Sequence, residues 1–365
     1  MKPLPSAVAT LGCLAVLRSV APTQQQLVKQ TPQRFAVPHP WVHISIPLDF
    51  ASSFVLGPTD GVPRVAGLQG GDVHYAALNM QTGVWSNELV AAGPAGGPSI
   101  AVDAALNPHV SFNGSGSFGQ WGELMYATRT TTGWTAEVVD ASVNYGYDTS
   151  IAVDTSGGLH ILGKQEPDGV LWYWTKVAGA WTGEVVDADG NPGRYSDLVV
   201  DAGGTPHAVY STWSPNADPR YAVRTAGAWS ITTLDFATAT YRSMSIDLDS
   251  QGHPHVIYHD DNDRLYYTHF DGTSWSPPEL IFTGGGKYAS LGVDRFDVVH
   301  VAVHTSSLPS LTYWMTRATN GVWSEPLFVD QGTVAGLGDA LDTDVFGRPW
   351  LIVQDSVAGP TLFTR

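Results

Sequence analysis

Tryptophan recurs at Trp41, Trp85, Trp134, Trp181, Trp229, Trp275 and Trp323, each 17 to 21 residues ahead of a segment of the kind Ser-Ile-Ala-Val-Asp. Those segments end at Pro58, Asp103, Asp154, Asp201, Asp249, Asp294 and Asp344, so seven units follow one another at intervals of 45 to 51 residues. Within a unit the anchor Asp leads a tight turn, as in Asp249-Ser250-Gln251-Gly252-His253-Pro254. An alternating strand, with one face expected to be covered, follows (His255-Val256-Ile257-Tyr258), then a variable loop, a third strand (Leu265-Tyr266-Tyr267-Thr268), a Gly-containing turn and the Trp strand. Gly tolerates the positive φ of the turn and Pro presets the strand after it. Four short antiparallel strands at this period predict an all-β, seven-bladed β-propeller. The seventh unit stops after a third strand at 361–364, and Trp41-Val42-His43-Ile44-Ser45-Ile46 is its missing fourth. The last blade is therefore expected to be closed by the N-terminal strand, which leaves no open sheet edge in the ring.

The propeller accounts for residues 41–365. Lys2, the apolar stretch from Ala7 to Leu17 and Ser19-Val20-Ala21 read as a signal peptide over 1–21, and the Gln- and Pro-rich stretch 22–40 as a linker. This predicts a secreted or periplasmic protein. The apolar run is too short to span a bilayer as a mature anchor. Cys13 is the one cysteine, so disulfides and Cys-based metal sites or nucleophiles are excluded from the propeller. A formal charge of −16 argues against nucleic-acid binding, which needs a basic surface. No Walker loop, dinucleotide fingerprint or Gly-x-Ser-x-Gly elbow is present, and no cofactor is indicated.

Aligning the units with one another separates residues that serve every blade from those peculiar to one. His109, His160, His207, His255 and His300 share one position, six after the anchor, where Arg64 and Trp350 stand in the other two units. Equivalent positions in different blades are too dispersed to converge on one ion, so these histidines are expected to be structural and hydrogen-bonded, the Trp column to be packing, and no metal site is assigned. Variation concentrates on the face formed by the loops leading into strand one and out of strand two. Seven residues before the anchor, consecutive units carry Arg194, Arg242 and Lys287, three of the 14 basic residues after position 40. Tyr147, Tyr195, Tyr241 and Tyr288 stand beside that column. Three neighbouring cations on an acidic protein suit a carboxylate or sulfate; they would equally neutralise a crowded acidic rim. Ten residues after the anchor stand Leu68, Asn113, Lys164, Ser211, His259, His304 and Gln354. His259 and His304 belong to adjacent blades and could move a proton at a bound substrate, with Tyr241 or Tyr288 as partner, or could be plain loop residues. Trp121 and Trp213, on the same face and outside the Trp column, would stack on a sugar ring or cover loop backbone. Asp260 and Asp261 form the one acidic cluster there, suited to calcium or to solvating a turn.

The units Ser-Ile-Ala-Val-Asp, Gly-His-Pro-His-Val-Ile-Tyr-His-Asp and Leu-Tyr-Tyr-Thr resemble the repeats of secreted bacterial propellers of the BNR-like, sialidase-related group. That group includes polysaccharide lyases acting on uronate-containing algal polymers. Their order of a second-strand histidine, a further histidine and a Leu-x-Tyr strand is similar to His255, His259, Leu265 and Tyr267, and again to His300, His304, Leu311 and Tyr313. Thr268 and Trp314 stand where that pattern carries Arg. The Ser-x-Asp-x-Gly-x-x-Trp boxes of sialidases are missing apart from a fragment at Asp271-Gly272-Thr273-Ser274-Trp275, which disfavours sialidase activity. The resemblance implies β-elimination at a uronate. Arg194, Arg242 and Lys287 would hold the carboxylate, His259 or His304 would take the proton, and Tyr241 or Tyr288 would assist the leaving group; Lys164, Asn113, Trp121 and Trp213 are further candidates for contacts with an anionic glycan or other small anionic ligand. The alternative is a non-catalytic, lectin-like or protein-binding propeller.

Overall fold

A computed structural model describes residues 41–365 except 94, 115–121, 167–168, 214–216, 236–239, 333–338 and 356–358; side chains of 142–148, 240–242 and 339 are also not described. The expected leader (1–21) and linker (22–40) lie outside the described residues. Strands arrange themselves in seven four-stranded antiparallel blades, the repeat expected from the sequence. Blade five is representative, with β17 (Thr240–Leu248), β18 (Pro254–Asp260), β19 (Arg264–His269) and β20 (Glu279–Thr283) in that spatial order. Blades two and three share β9 (Gly133–Val153), which runs unbroken from the outer edge of one to the inner edge of the next. Blade seven consists of β25 (Asp339–Thr343), β26 (Pro349–Asp355), β27 (Gly359–Thr364) and β1 (Val42–Ser45), with Val42 opposite Thr364 and Ser45 opposite Thr361. The N-terminal strand thus closes the ring.

Two sequence expectations need correction. Trp275 and Trp323 do not open fourth strands; each makes an isolated bridge (to Phe270 and Arg317), and regular pairing resumes only at Glu279 and Leu327. Pro277-Pro278 and Pro326 intervene, and proline has no N–H for the ladder. The second strands are not half-exposed alternating strands. All seven residues of β18 are buried, because blades stack face to face and cover both sides of a middle strand.

Neighbouring blades are held at two radii. Near the axis, a side chain of each inner strand accepts a backbone N–H from the next: Ser53 from Ile100 (3.1 Å), Ser99 from Ile151 (3.3 Å), Ser150 from Leu198 (3.2 Å), Asp197 from Ile246 (3.1 Å), Ser245 from Leu291 (3.2 Å) and Ser290 from Leu341 (3.1 Å). Blade seven has Ala340 where a hydroxyl would continue the series, and Asp342 instead accepts from Leu56 at 2.8 Å, completing the circle. Further out, the Trp column packs on the third-strand aromatic of the preceding blade. Ring centroids are 5.3 Å apart for Trp134 on Tyr75 and for Trp181 on Tyr126, 5.2 Å for Trp229 on Tyr173, 4.9 Å for Trp275 on Tyr221, 5.3 Å for Trp323 on Tyr267 and 5.7 Å for Trp41 on Trp314. Such pairs add about 0.5–1.5 kcal/mol each beyond the area they bury.

The histidine column is structural. Nδ1 of His109, His160, His207 and His255 lies 2.7, 2.5, 2.6 and 2.6 Å from the hydroxyls of Tyr126, Tyr173, Tyr221 and Tyr267, the same rings that receive the Trp. On the other side His160 and His300 place Nε2 3.2 Å from the anchors Asp154 and Asp294. A neutral imidazole donating Nε2–H to the carboxylate accepts the tyrosine O–H at Nδ1, so the anchor fixes the tautomer.

At the periphery Glu88, Glu137 and Glu184 each accept from the indole N–H of the next blade's Trp (Trp134, 3.0 Å; Trp181, 2.8 Å; Trp229, 2.8 Å) and pair with a cation of its third strand, Arg129, Lys176 and Arg224 respectively. These pairs are about one-third exposed, so solvent discounts the ionic part. Glu184→Gln, which keeps an acceptor for Trp229, is expected to cost less than about 1 kcal/mol, and Glu184→Ala about 1–2 kcal/mol. Urea unfolding with an unchanged slope checks this; equal losses in both variants would assign the latch to charge alone.

Candidate functional site

Backbone hydrogen bonds put the loop leading into strand one beside the loop leaving strand two, as expected. Gly193 N–H donates to Ser211 O (3.2 Å), Trp213 N–H to Gly190 O (2.8 Å) and Gly286 N–H to His304 O (2.9 Å). Two of the expected columns therefore do meet on one face, at two separate places.

The first is on blade four and the edge of blade three. The Arg194 guanidinium lies 3.8 Å from the centroid of the Trp213 ring, and Trp213 is 48% exposed. A cation over an indole of this exposure is worth roughly 0.5–1 kcal/mol and forms a stacking platform open to solvent. Lys164, buried, pairs with Glu166 at 2.5 Å; its side chain lies against Gly193, where an added Cβ would come within 3.1 Å of it.

The second is between blades five and six, where the segment 284–288 threads between the ends of β18 and β22 (Val299–His304). Lys287 reaches Asp263 (3.6 Å), which also lies 3.4 Å from Nε2 of His259 and accepts from the Ser306 hydroxyl at 2.9 Å. Burial raises the Asp263 carboxyl, but Ser306, Lys287 and His259 outweigh it and hold it below the usual range. His259 is fully buried and lowered by desolvation, against the pull of Asp263 and Asp260, so its imidazole is neutral at pH 7. Tyr288 stacks on buried His304, centroids 6.4 Å apart and planes 18° from parallel. Gly286 cannot be replaced freely: its φ is +112°, and a Cβ would sit 3.0 Å from both the His259 ring and the Leu265 Cβ.

Both segments carry a tyrosine in the left-handed region, Tyr195 at φ 50° and Tyr288 at φ 58°. A bulky residue there costs on the order of 1–3 kcal/mol, tolerated where surrounding structure fixes it, commonly at binding sites. Pro-Gly-Arg-Tyr and Gly-Gly-Lys-Tyr are the sequence signal that this geometry would have given.

Not all expected site residues are joined. Arg194 stacks on Trp213 and Lys287 pairs with Asp263, two blades apart, instead of lining one common wall. Asn113 is buried on β7 (Pro108–Gly114) of blade two. The side chains of Tyr241 and Arg242, like that of Tyr147, and the whole of Trp121 lie outside the described residues. His259 and His304 are core-facing, contrary to their reading as exposed loop residues. Asp263 and Glu166 were missed; in a chain with 34 carboxylates nothing local distinguishes the ones that partner Lys287 and Lys164. Asp260 does not stand open for calcium, since Arg264 occupies it at 2.5 Å and the backbone of Asn262 and Arg264 donates to it.

No protein-family model and no curated protein matches the chain. Solved structures match it as a fold. An ulvan lyase of polysaccharide lyase family PL25 aligns with a TM-score of 0.60 at 13% identity over 87% of this chain and 95% of its own. The BP39L lectin of Burkholderia pseudomallei aligns with 0.67 at 12% identity over 86% and 95%. The Aleuria aurantia lectin, in complex with Fucalpha1-6GlcNAc, aligns with 0.54 at 12% identity over 78% and 98%. These likenesses establish the propeller architecture.

Proposed function

We propose that this propeller acts, outside the cytoplasm, on an acidic polysaccharide, which it cleaves by β-elimination at the blade five–six cluster. The observation that carries this reading is the convergence of Lys287, Tyr288, His259 and His304 from two blades on one segment with a strained tyrosine. In this reading Lys287 leaves Asp263 for the uronate carboxylate and lowers the cost of removing the proton α to it. His304 or His259 accepts that proton. The bond to the leaving oxygen breaks, that oxygen takes a proton from Tyr288, and a C=C bond forms in the ring. Both imidazoles are buried, so substrate binding has to shift the segment 284–288. The likeness to an ulvan lyase, one structure of which is bound to -[GlcA(1-4)Rha3S]-, supports the substrate class.

A second reading, a non-catalytic glycan binder, has its own observation. The cation–Glu–Trp arrangement repeats at three successive seams and is partly exposed, as equivalent sites would require. One experiment separates the two. Incubation with uronate polymers, followed by the ultraviolet absorbance of the unsaturated product, is expected to show turnover that falls at least a hundredfold in Tyr288→Phe and in His304→Ala. Binding of a polymer without any absorbance rise, at about three equivalents per chain by calorimetry, would replace the lyase by the binder.

A further inference from the structure

The opposite face, formed by the anchor turns, has a cavity of about 270 Å³ between blades five and six. It is built from repeat positions, at a seam where the peripheral latch of the first blades is incomplete. At the seams of blades one to four the peripheral Glu contacts both the cation and the indole. Here Arg317 is 3.9 Å from Glu279, and both Arg317 Nε and Trp323 Nε1 are buried without a hydrogen-bond partner. The third-strand position that holds Ala77, Thr128, Thr175, Val223 and Thr316 in other blades holds His269 in this one. Its Nδ1 is also buried without a partner, and its ring stacks on His255 at 5.5 Å and on Tyr267 at 5.6 Å.

The wall chemistry is mixed. Asp249, Asp271 and Asp297 line the cavity with His269 and Arg317. Each carboxylate accepts backbone N–H groups of a turn, Asp271 from Thr273 and Ser274 (2.8 Å each) and Asp297 from Ser250 (2.7 Å), and retains lone pairs for further donors. An inorganic anion would meet three carboxylates, and a cation would meet Arg317. A hydroxyl group both donates and accepts, so it meets the His269 and Arg317 side chains of the wall and the spare carboxylate lone pairs together. Phe270 and the imidazole of His253 offer apolar surface for the C–H edges of a ring, and the volume, just below the range of drug-sized pockets, suits one sugar unit.

We propose that this cavity is a second carbohydrate site, taking a single neutral pyranose unit, on the face opposite Lys287 and independent of any cleavage there. His269 and Arg317 donate to its ring hydroxyls, and Asp271 and Asp297 accept from them. Saturation-transfer NMR on the full chain with glucose, galactose, mannose, fucose, rhamnose and N-acetylglucosamine, each titrated to saturation, tests it. At least one sugar is expected to bind with one-to-one stoichiometry. His269→Thr, which installs the residue of blades two, three, six and seven, and Arg317→Ala should each weaken it tenfold or more, with thermal unfolding showing both variants folded and polymer turnover unchanged. Failure of every sugar to bind saturably, wild-type affinity in both variants, or displacement of the sugar by equimolar sulfate would overturn the site and leave the reading of the Lys287 face as it stands.

Discussion

Removal of residues 41–46 is expected to abolish the native state. The chain should lose its cooperative unfolding transition and bind hydrophobic dye, although 319 of the residues from 47 onward remain. The segment supplies the outer strand of blade seven, all of whose register partners lie on β27. Trp41, 5% exposed, packs edge-on against Trp314, and Ile46, equally buried, joins the core of blade one with Leu48, Phe54 and Leu362. Trp41→Ala alone should cost about 3–5 kcal/mol, a large share of the 5–15 kcal/mol that a native domain has in reserve. Deletion adds an unpaired β27 edge and opens the contacts of Leu56 with Asp342 and of Ala51 with Gln354. A deletion variant with wild-type far-ultraviolet circular dichroism and melting temperature would show that blade seven holds without its fourth strand.

The second large effect is a pH response carried by two carboxyl groups of the inner strands. Enclosure by neighbouring strands pushes Asp247 up to about 7 and Asp342 up to about 6, each further raised by nearby carboxylates. A folded-state value above the unfolded one means that the native state holds the proton longer. Stability from these groups is complete below about pH 4 and is lost as pH rises through 6 and 7. Both residues keep partial exposure, so solvent screening moderates the loss to on the order of 1–2 kcal/mol each. The buried histidines act in the opposite direction. His255, held down to about 4 mainly by desolvation and then by His269, stays neutral when the unfolded chain takes up protons, so stability falls as pH drops below about 6.5. His109, His160, His207, His259, His269 and His300 are lowered for the same first cause. The wild type should be most stable near pH 6. Asp247→Asn/Asp342→Asn should gain about 2 kcal/mol over it at pH 8 and nothing at pH 4.5, by chemical denaturation at each pH. An equal gain at both pH values would trace the effect to packing.

The blade count, the closing strand and the structural histidines were legible because each is a column: Trp, Asp and His recur in phase, and a residue in phase serves every blade. The inner ring was in plain view as Ser99, Ser150, Ser245 and Ser290, but the partner of each hydroxyl is a backbone N–H that no side-chain identity marks. The candidate site was only half legible. Position in the unit correctly placed Lys287 and Tyr288 beside His259 and His304. It could not show that both imidazoles turn inward, since strand alternation fails in strands covered on both faces. Nor could it show that Arg194 stacks on Trp213, since nothing in either residue's position in the unit marks the other as its partner. The cavity on the other face was hidden because its departures from the repeat, His269, Phe270 and Asp297 in place of the turn glycine, lie in different units and are not adjacent in sequence.

The latches of the inner ring all run the same way round, from a side chain of one blade to the peptide group of its successor. The donor is common to every residue type except proline, so a sector makes no demand on the identity of the one before it beyond a small acceptor at a fixed place. A whole sector could be duplicated or excised at a hairpin without rewriting its neighbours, and sectors are free to diverge in their loops. What resists such shuffling is the pair Asp342 and Leu56, at the join where Ala340 offers no acceptor in the common place.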